Sequence, residues 1–392
     1  MQCLLLFKFP SFNIYSTPLL LLVLQAFIFA FLLLHRYLKQ NYLPALFLAL
    51  LILITGYHRT SYTIGFMEWY DTYRNTKINY WLIAFSLAVG PLLYFYVKSI
   101  TTQNFIFKKK DWVHFIPVTI FILYKVIIFI YDSSLEGFDK TQNGYLKINL
   151  DEKYVQPLIG IIESLQMLLY LAFTFQIYYQ YKKKINEFFS NTYKIELNWI
   201  RNFLFIYTFL FLYSLFQGVI GSAIAELHWT QRWWYQFFSA IAILYFGIKG
   251  YFTQTSKLDN LDYKSYKKKS TNIIQSREDY CENQKKIIND LMNEEKPYLN
   301  PDLNLAELSK LTNMSTNQLS ETLNSCFQKN FNDFINEYRV DEVKKRLDIG
   351  QHLNLSFLGI ALDCGFNSKA TFNRVFKRIT GQSPTEYIKD FK

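Results

Sequence analysis

Residues 355–387 read LSFLGIALDCGFNSKATFNRVFKRITGQSPTEY, and their local signals agree on a helix, a tight turn and a second helix. Gly365 offers the backbone freedom that a tight turn needs, and Ser368 is a good N-cap for the second helix. After that cap Phe372, Phe376 and Ile379 recur at helical spacing and face inward. Small Ala361 suits a close crossing of the two helices. Lys369, Ala370, Asn373, Arg374 and Lys377 are left on or near the exposed face. Ser383 and Pro384 open a last short helix as its cap and first position.

The same pattern stands earlier in the chain. Leu303, Leu305, Leu308 and Leu311 make an apolar stripe, Asn313-Met314 forms a turn, and Ser315 caps a second helix. In that helix Leu319, Leu323 and Phe327 face inward, so Thr316, Asn317, Ser320, Glu321 and Asn324 face out. A longer helix, from about Phe331 to Asp348, buries Phe334, Ile335, Tyr338, Val343 and Leu347 between the two units. Residues 294–392 therefore predict two tandem helix-turn-helix units, whose second helices present their outer faces to the DNA major groove. The four cysteines, Cys3, Cys281, Cys326 and Cys364, form no CxxC pair and no staple pattern. Cys326 and Cys364 fall on inward positions, which argues for a structural role.

The stretches YLNPDLNLAEL, NMSTNQLS, FNDFINEYRV and GFNSKATFNRVFKRITGQSPTEY resemble the paired-motif signature of AraC-type transcription regulators. Gly365-Phe366, Ser368, Phe372, Arg374, Phe376-Lys377, Gly381 and Pro384 all stand at the family's spacing, over about a quarter of the chain. The resemblance implies that both reading helices enter successive major grooves of double-stranded DNA. The long helix then acts as spacer: its length of about 27 Å approaches the helical repeat of about 34 Å. By position it implies base contacts from Asn317, Ser320 and Glu321 in the first motif and from Lys369, Ala370 and Arg374 in the second. Two residues depart from the family. Ser309 stands where Ala is usual, and Glu321 where Arg is frequent. A carboxylate only accepts, for instance from cytosine N4, whereas Arg374 suits guanine.

Upstream the composition changes. The chain is 51% hydrophobic and 19% aromatic, with 37 Phe and 30 Tyr, yet its mean hydropathy is +0.03, so the apolar residues are segregated. They lie before Phe252 in seven runs near 14–34, 42–62, 79–98, 112–131, 155–180, 199–224 and 233–252, each close to the ~20 residues that cross a bilayer. The predicted fold class is all-α: a seven-helix transmembrane bundle over residues 1–252, a juxtamembrane linker over 253–293, and the double helix-turn-helix domain over 294–392. The first run is too long for a cleaved signal peptide and has no small-x-small site after it, so it reads as a signal anchor.

Charge sets the orientation. Residues 1–252 carry 21 Lys/Arg against 12 Asp/Glu, and residues 253–392 carry 21 against 19. The net basic charge thus belongs to the apolar part and does not by itself argue for nucleic acid. Arg36 and Lys39 follow the first run, Lys98 and Lys108 to Lys110 the third, Lys182 to Lys184 and Lys194 the fifth, and Lys249, Lys257 and Lys264 the seventh. The alternate loops are balanced or acidic. This places the N-terminus outside and the C-terminus in the cytoplasm, in a bacterial inner membrane if the resemblance holds. Trp69, Tyr80, Trp112, Trp199, Trp229, Trp233 and Trp234 suit the two interfacial belts.

Polar groups inside the runs are costly without partners. Lys125, about 9 Å from the outer end of the fourth run, and Glu163, about 12 Å into the fifth, have matching depths. They are expected to pair, either as a sensing element or as a static pair that fixes packing. His58, Arg59 and His114 near the interfaces read as snorkelling or capping groups. In the linker, the Lys264–Ser270 run KSYKKKS suits anionic headgroups or DNA phosphate. Ile273, Tyr280, Ile287 and Leu291 in a helix ending at Glu295 could form a short homodimer seam.

The expected function is a membrane-anchored, sequence-specific DNA-binding regulator that answers a small-molecule or peptide signal. The alternative is a transporter or membrane enzyme with a regulatory DNA-binding appendage. No HExxH, GxSxG or phosphate-loop motif is present, and Ser222 reads as small-residue packing, so no catalytic activity, cofactor or metal is expected. A fragment from Ser276 onward is expected to bind DNA by itself.

Overall fold

The computed structural model describes residues 10–389 apart from 74–75, 83–84, 103, 193–196, 225–226 and 254–274. Lys194, Arg74, Glu226, Ile273 and the Lys264–Ser270 run lie outside the described residues, as does the side chain of Ser222. Among the described residues the chain is helical, with one isolated bridge between Phe189 and Asn304. It divides into two compact units, residues 1–178 with 198–259, and residues 179–197 with 260–392.

The first unit contains α1 (Ser16–Gln40), α2 (Leu43–Phe66), the short α3 (Trp69–Thr72) and α4 (Ile78–Trp81), and α5 (Ser86–Thr101). It continues with α6 (Ile116–Ser133), most of α7 (Gln156–Phe188), α8 (Asn198–Ala223) and α9 (Trp229–Phe252). Among the described residues six helical stretches are long and apolar enough to cross a membrane: Ser16–Gln40, Leu43–Phe66, Ile78–Thr101, Lys109–Ser133, Lys147–Phe188 and Asn198–Gly221. The seventh run, α9, is 24 residues long but carries Gln231, Arg232 and Gln236 beside several Trp and Tyr, which dilute its hydropathy.

Large apolar side chains in this unit face outward as well as inward. α7 turns Leu158, Ile161, Leu165 and Leu169 outward, and α8 does the same with Phe205, Phe209, Leu212 and Phe216. Inside, small residues stand at close helix crossings among large buried ones such as Leu48, Phe95 and Phe203. A Cβ on Gly56 would meet Ala26 at 3.2 Å, one on Gly247 would meet Phe29 at 2.7 Å, and one on Gly250 would overlap Leu48. Such close backbone approach is how helices associate where water supplies no drive. At one end Arg36 donates to the carbonyls of Tyr251 (2.8 Å) and Thr253 (3.1 Å), so α1 and α9 finish on the same side.

The expected Lys125–Glu163 pair does not form. Lys125 Nζ sits 2.7 and 2.6 Å from the two Asp151 oxygens, and Lys147 reaches the same carboxylate at 2.8 Å. Equal depth puts Glu163 within reach on paper, but the π-helical stretch Lys147–Val155 ahead of α7 delivers Asp151 to the lysine first. Glu163 instead accepts from the Ser86 hydroxyl. Arg59 turns inward to Gln236 (2.6 Å), His58 Nε2 caps the Phe85 N–H (2.9 Å), and His114 Nδ1 meets the Tyr170 hydroxyl (2.6 Å). Capping describes His58, and snorkelling does not describe Arg59.

The second unit holds α10 (Gln275–Glu294), α11 (Leu305–Leu311), α12 (Thr316–Ser325), α13 (Phe331–Asp348), α14 (Phe357–Asp363), α15 (Lys369–Thr380) and α16 (Pro384–Lys389). It has two apolar cores. Ile288, Met292, Leu305, Leu308, Leu319, Leu323, Phe331, Phe334 and Ile335 build the first. Val340, Val343, Leu347, Ile360, Ala361, Phe366, Phe372, Val375 and Phe376 build the second. α13 therefore serves one core with its N-terminal half and the other with its C-terminal half.

Candidate nucleic-acid interface

Each reading helix is held by the same local chemistry. The Ser315 hydroxyl accepts from the Gln318 N–H at 3.3 Å while the Gln318 side chain returns to the Ser315 N–H at 3.1 Å, a closed capping box. Ser368 accepts from the Thr371 N–H at 3.2 Å. Asn304, Asn330, Ser356 and Ser383 cap their own helices in the same way. The turns differ in residue but not in hand. Asn313 adopts φ +52° and Gly365 φ +88°. At Gly365 a Cβ would overlap the Tyr298 carbonyl oxygen, so no side chain fits without moving backbone.

In α12 Leu319 and Leu323 are fully buried, Thr322 joins them, and Phe327 packs at the margin of the core. Leu311, expected inside, is 43% exposed, because α11 ends there and only Leu305 and Leu308 lie on its inner face. Of the residues expected to face DNA, Glu321 and Asn324 are exposed, while Thr316, Asn317 and Ser320 are half-buried. Asn324 folds back on the Ser320 carbonyl at 2.8 Å, and the Asn317 side-chain oxygen is covered without a partner. In α15 Phe372, Val375, Phe376 and Thr371 are buried and Ile379 is marginal. Lys369, Ala370, Asn373, Arg374 and Lys377 are all exposed on the opposite face. Arg378 leaves that set by pairing with Asp333 at 2.6 Å.

Three features lie beyond the sequence reading. One is a disulfide between Cys281 in α10 and Cys326 at the end of α12, across 45 residues, which no spacing rule indicates. It gives Cys326, at an inward position, its structural partner. Cys364 keeps a structural role as a fully buried thiol, whose pKa burial pushes up to about 12. The second is Arg339, 1% exposed, which donates to the carbonyls of Tyr298 and Asn300 (both 2.7 Å). Burial pulls its pKa down to about 9, leaving it charged at neutral pH.

The third feature supplies the rest of that arginine's partners. Ser190 Oγ lies 3.1 Å and Ser190 O 3.4 Å from the Arg339 guanidinium, and Asn332 Nδ2 donates to the carbonyls of Phe189 and Ser190 at 3.0 and 2.9 Å. Phe188 packs against the first core. Phe188 ends α7 and residues 189–190 follow it, between the fifth and sixth apolar runs, yet they complete the DNA-binding unit. A fragment from Ser276 lacks them and leaves half of Arg339's hydrogen bonds unmade, which revises the expectation for that fragment.

The geometry is that of two capped helices standing on one spacer helix. Residues 308–390 match the family described as a helix-turn-helix domain. The C-terminal unit thus carries an AraC-type helix-turn-helix domain, as its motifs imply. Uncharacterized HTH-type transcriptional regulators from Staphylococcus aureus strains COL and MSSA476 are each 33% identical over 115 residues. That stretch is 28% of this chain and only 15% of either relative. No solved structure matches the chain.

Proposed function

We propose that this protein is a membrane-anchored, sequence-specific transcription regulator that couples a signal received in or across the membrane to gene expression. The observation that carries the proposal is the placement of Phe188–Ser190. The segment between two apolar helices is built into the first core of a helix-turn-helix unit, beside the buried Arg339. Both helices are continuous with that segment, which meets the unit's core through the packing of Phe188 and the hydrogen bonds of Arg339 and Asn332 to Ser190.

In this reading α9 is the seventh span. The shared end of α1 and α9 at Arg36 is the cytoplasmic side, in keeping with the basic loops. The N-terminus is then outside and the DNA-binding unit faces the cytoplasm of a bacterial cell. Lys369, Ala370 and Arg374 of α15 face the bases with Asn373 and Lys377 beside them, and Thr316, Asn317, Ser320 and Glu321 form the corresponding face of α12. The linker's Lys264–Ser270 run would rest on inner-membrane headgroups, and the α10 segment could seam a homodimer.

Genome-wide DNA occupancy of the full chain tests the first half of this proposal. Discrete sites lost on Arg374→Ala are expected; uniform, salt-sensitive occupancy would contradict a specific regulator. A reporter driven from those sites tests the second half. Ser190→Ala with Asn332→Ala should change expression while the protein stays in the membrane fraction, and unchanged expression would remove the loop from the signalling route.

A further inference from the structure

A cavity of about 970 Å³ opens in the first unit where α2, α3, α4 and α6 finish and α5, α7 and α9 begin. Its size is that of a small-molecule site. These are also the ends that the charge pattern places outside, away from Arg36. One part of the wall is aromatic, with Tyr62, Phe66, Tyr70, Phe121 and Trp229. Trp229 stands against Phe66 at 5.3 Å and Tyr15 at 5.1 Å, so this rim is held in place.

The other part is acidic. Glu68, Asp71, Glu152 and Glu163 line the cavity, and among the described residues none has an ion-pairing Lys, Arg or His. The two lysines on the wall, Lys125 and Lys147, share the single Asp151 carboxylate, so their cluster keeps one positive charge against the four carboxylates of the wall. Glu163 lies farthest along α7 and has only the Ser86 hydroxyl; Glu152 has only the Asn143 amide, at 3.1 Å. A carboxylate held inside an apolar bundle with one neutral partner is costly, and a mobile cation from outside is the group that would relieve it. Aromatic faces attract the same charge through their quadrupoles. Among the described residues no three His, Cys, Asp or Glu converge as a metal site, so a compact metal ion fits less well than a larger cation.

We propose that this cavity binds an organic cation, an amine or quaternary ammonium on an aromatic or apolar body, with Glu163 as its counter-ion. The proposal rests on the reading of this unit as the sensor and names the chemistry of its signal. An anion would meet four carboxylates against the single positive charge left by Lys125, Lys147 and Asp151. A neutral ligand would leave Glu163 unpaired.

The test uses the full chain in phosphatidylcholine nanodiscs. Benzyltrimethylammonium is compared by calorimetry with its uncharged isostere neopentylbenzene and with benzenesulfonate. Saturable binding of the ammonium, weaker binding of the neutral compound and none of the sulfonate are expected. Glu163→Gln should weaken the ammonium about tenfold or more, and Glu163→Asp should retain most of the preference. Absence of saturable ammonium binding overturns the proposal, as does sulfonate binding as tight as the ammonium. So does a Glu163→Gln protein with native thermal transition and native ammonium affinity. If the ammonium binds as expected but deleting residues 1–178 leaves the reporter unchanged, the cavity stands and the sensor reading falls. If that deletion alters the reporter while no ammonium binds, the sensor reading stands and the cation falls.

Discussion

α12 and α15 each follow a seven-residue helix and a left-handed turn residue, and each begins on a serine cap, yet their exposed faces differ in charge. α15 exposes Lys369, Arg374 and Lys377, whereas α12 exposes Glu321 and Asn324 with no basic residue among its ten. Their supports differ too. The core beneath α12 includes Ile288 and Met292 of the linker helix and is closed by Phe188, and the Cys281–Cys326 bond ties its far end to α10. The core beneath α15 draws only on α13 to α16 and the segments joining them. The same backbone motif is thus divided between two tasks. The second motif carries the basic face, and the first is attached to the chain that leads to the apolar helices.

The largest expected effect separates the two turns. Gly365→Ala drives a Cβ into the Tyr298 carbonyl oxygen at φ +88°, and should cost about 3 kcal/mol or more. Asn313→Gly should shift stability by less than about 1 kcal/mol, since glycine adopts φ +52° freely. Urea titration read by proteolysis within the C-terminal unit measures both. Equal losses would erase the distinction between the turns.

In the oxidised protein, reduction of the disulfide, or Cys281→Ser, should destabilise the first core by about 2–4 kcal/mol and leave the second unchanged, a tie that a reducing cytoplasm would release. Cleavage sites that open in α12 but not in α15 on adding dithiothreitol would show this. Simultaneous opening would mean that the two cores unfold as one.

On DNA, Arg374→Ala should cost about 1–3 kcal/mol and lower the salt dependence of binding by about one ion if it meets phosphate. Glu321→Ala should leave affinity equal or higher, because it removes a negative charge facing the duplex. Gel shifts across a salt series decide, and equal losses at both positions would contradict the division of tasks.

The smallest effect is on acid stability. Burial works against the Glu342 carboxylate, but Arg346 (3.3 Å), Lys296 (3.4 Å) and the Tyr298 hydroxyl (3.2 Å) outweigh it and hold its pKa below the ordinary value. That contribution is complete above the ordinary Glu pKa and is lost as pH falls through the lowered one. Glu342→Gln should flatten the stability profile in that acid range, and an unaltered profile would show that Glu342 is not its source.

Legibility in the sequence depends on range along the chain. The caps at Ser315, Ser368 and Ser383, the turn at Gly365 and the inward Leu319, Leu323, Phe372 and Phe376 follow from chemistry within one or two helical turns, where spacing is informative. α13 is harder to read, because its apolar residues serve two cores and make no single stripe, so Val340 and Arg339 carry no local mark. The Lys125–Asp151 pair spans 26 residues, Cys281–Cys326 spans 45 and Ser190–Arg339 spans 149, and none has a local signature. Glu163 stands out in the sequence as a carboxylate in an apolar run, but its expected neighbour is the wrong one, since depth along two helices does not fix which group arrives first. The linker's basic run lies outside the described residues.

Hydroxyl-radical footprinting of the full chain in nanodiscs, on a site found by genome-wide occupancy, tests the division between the two motifs most directly. Two protected segments about one helical turn apart are predicted. Arg374→Ala should weaken both, because it removes the anchor. Ser190→Ala with Asn332→Ala should weaken only the segment under α12. A single protected segment, or a Ser190/Asn332 variant that alters the α15 segment first, would contradict it.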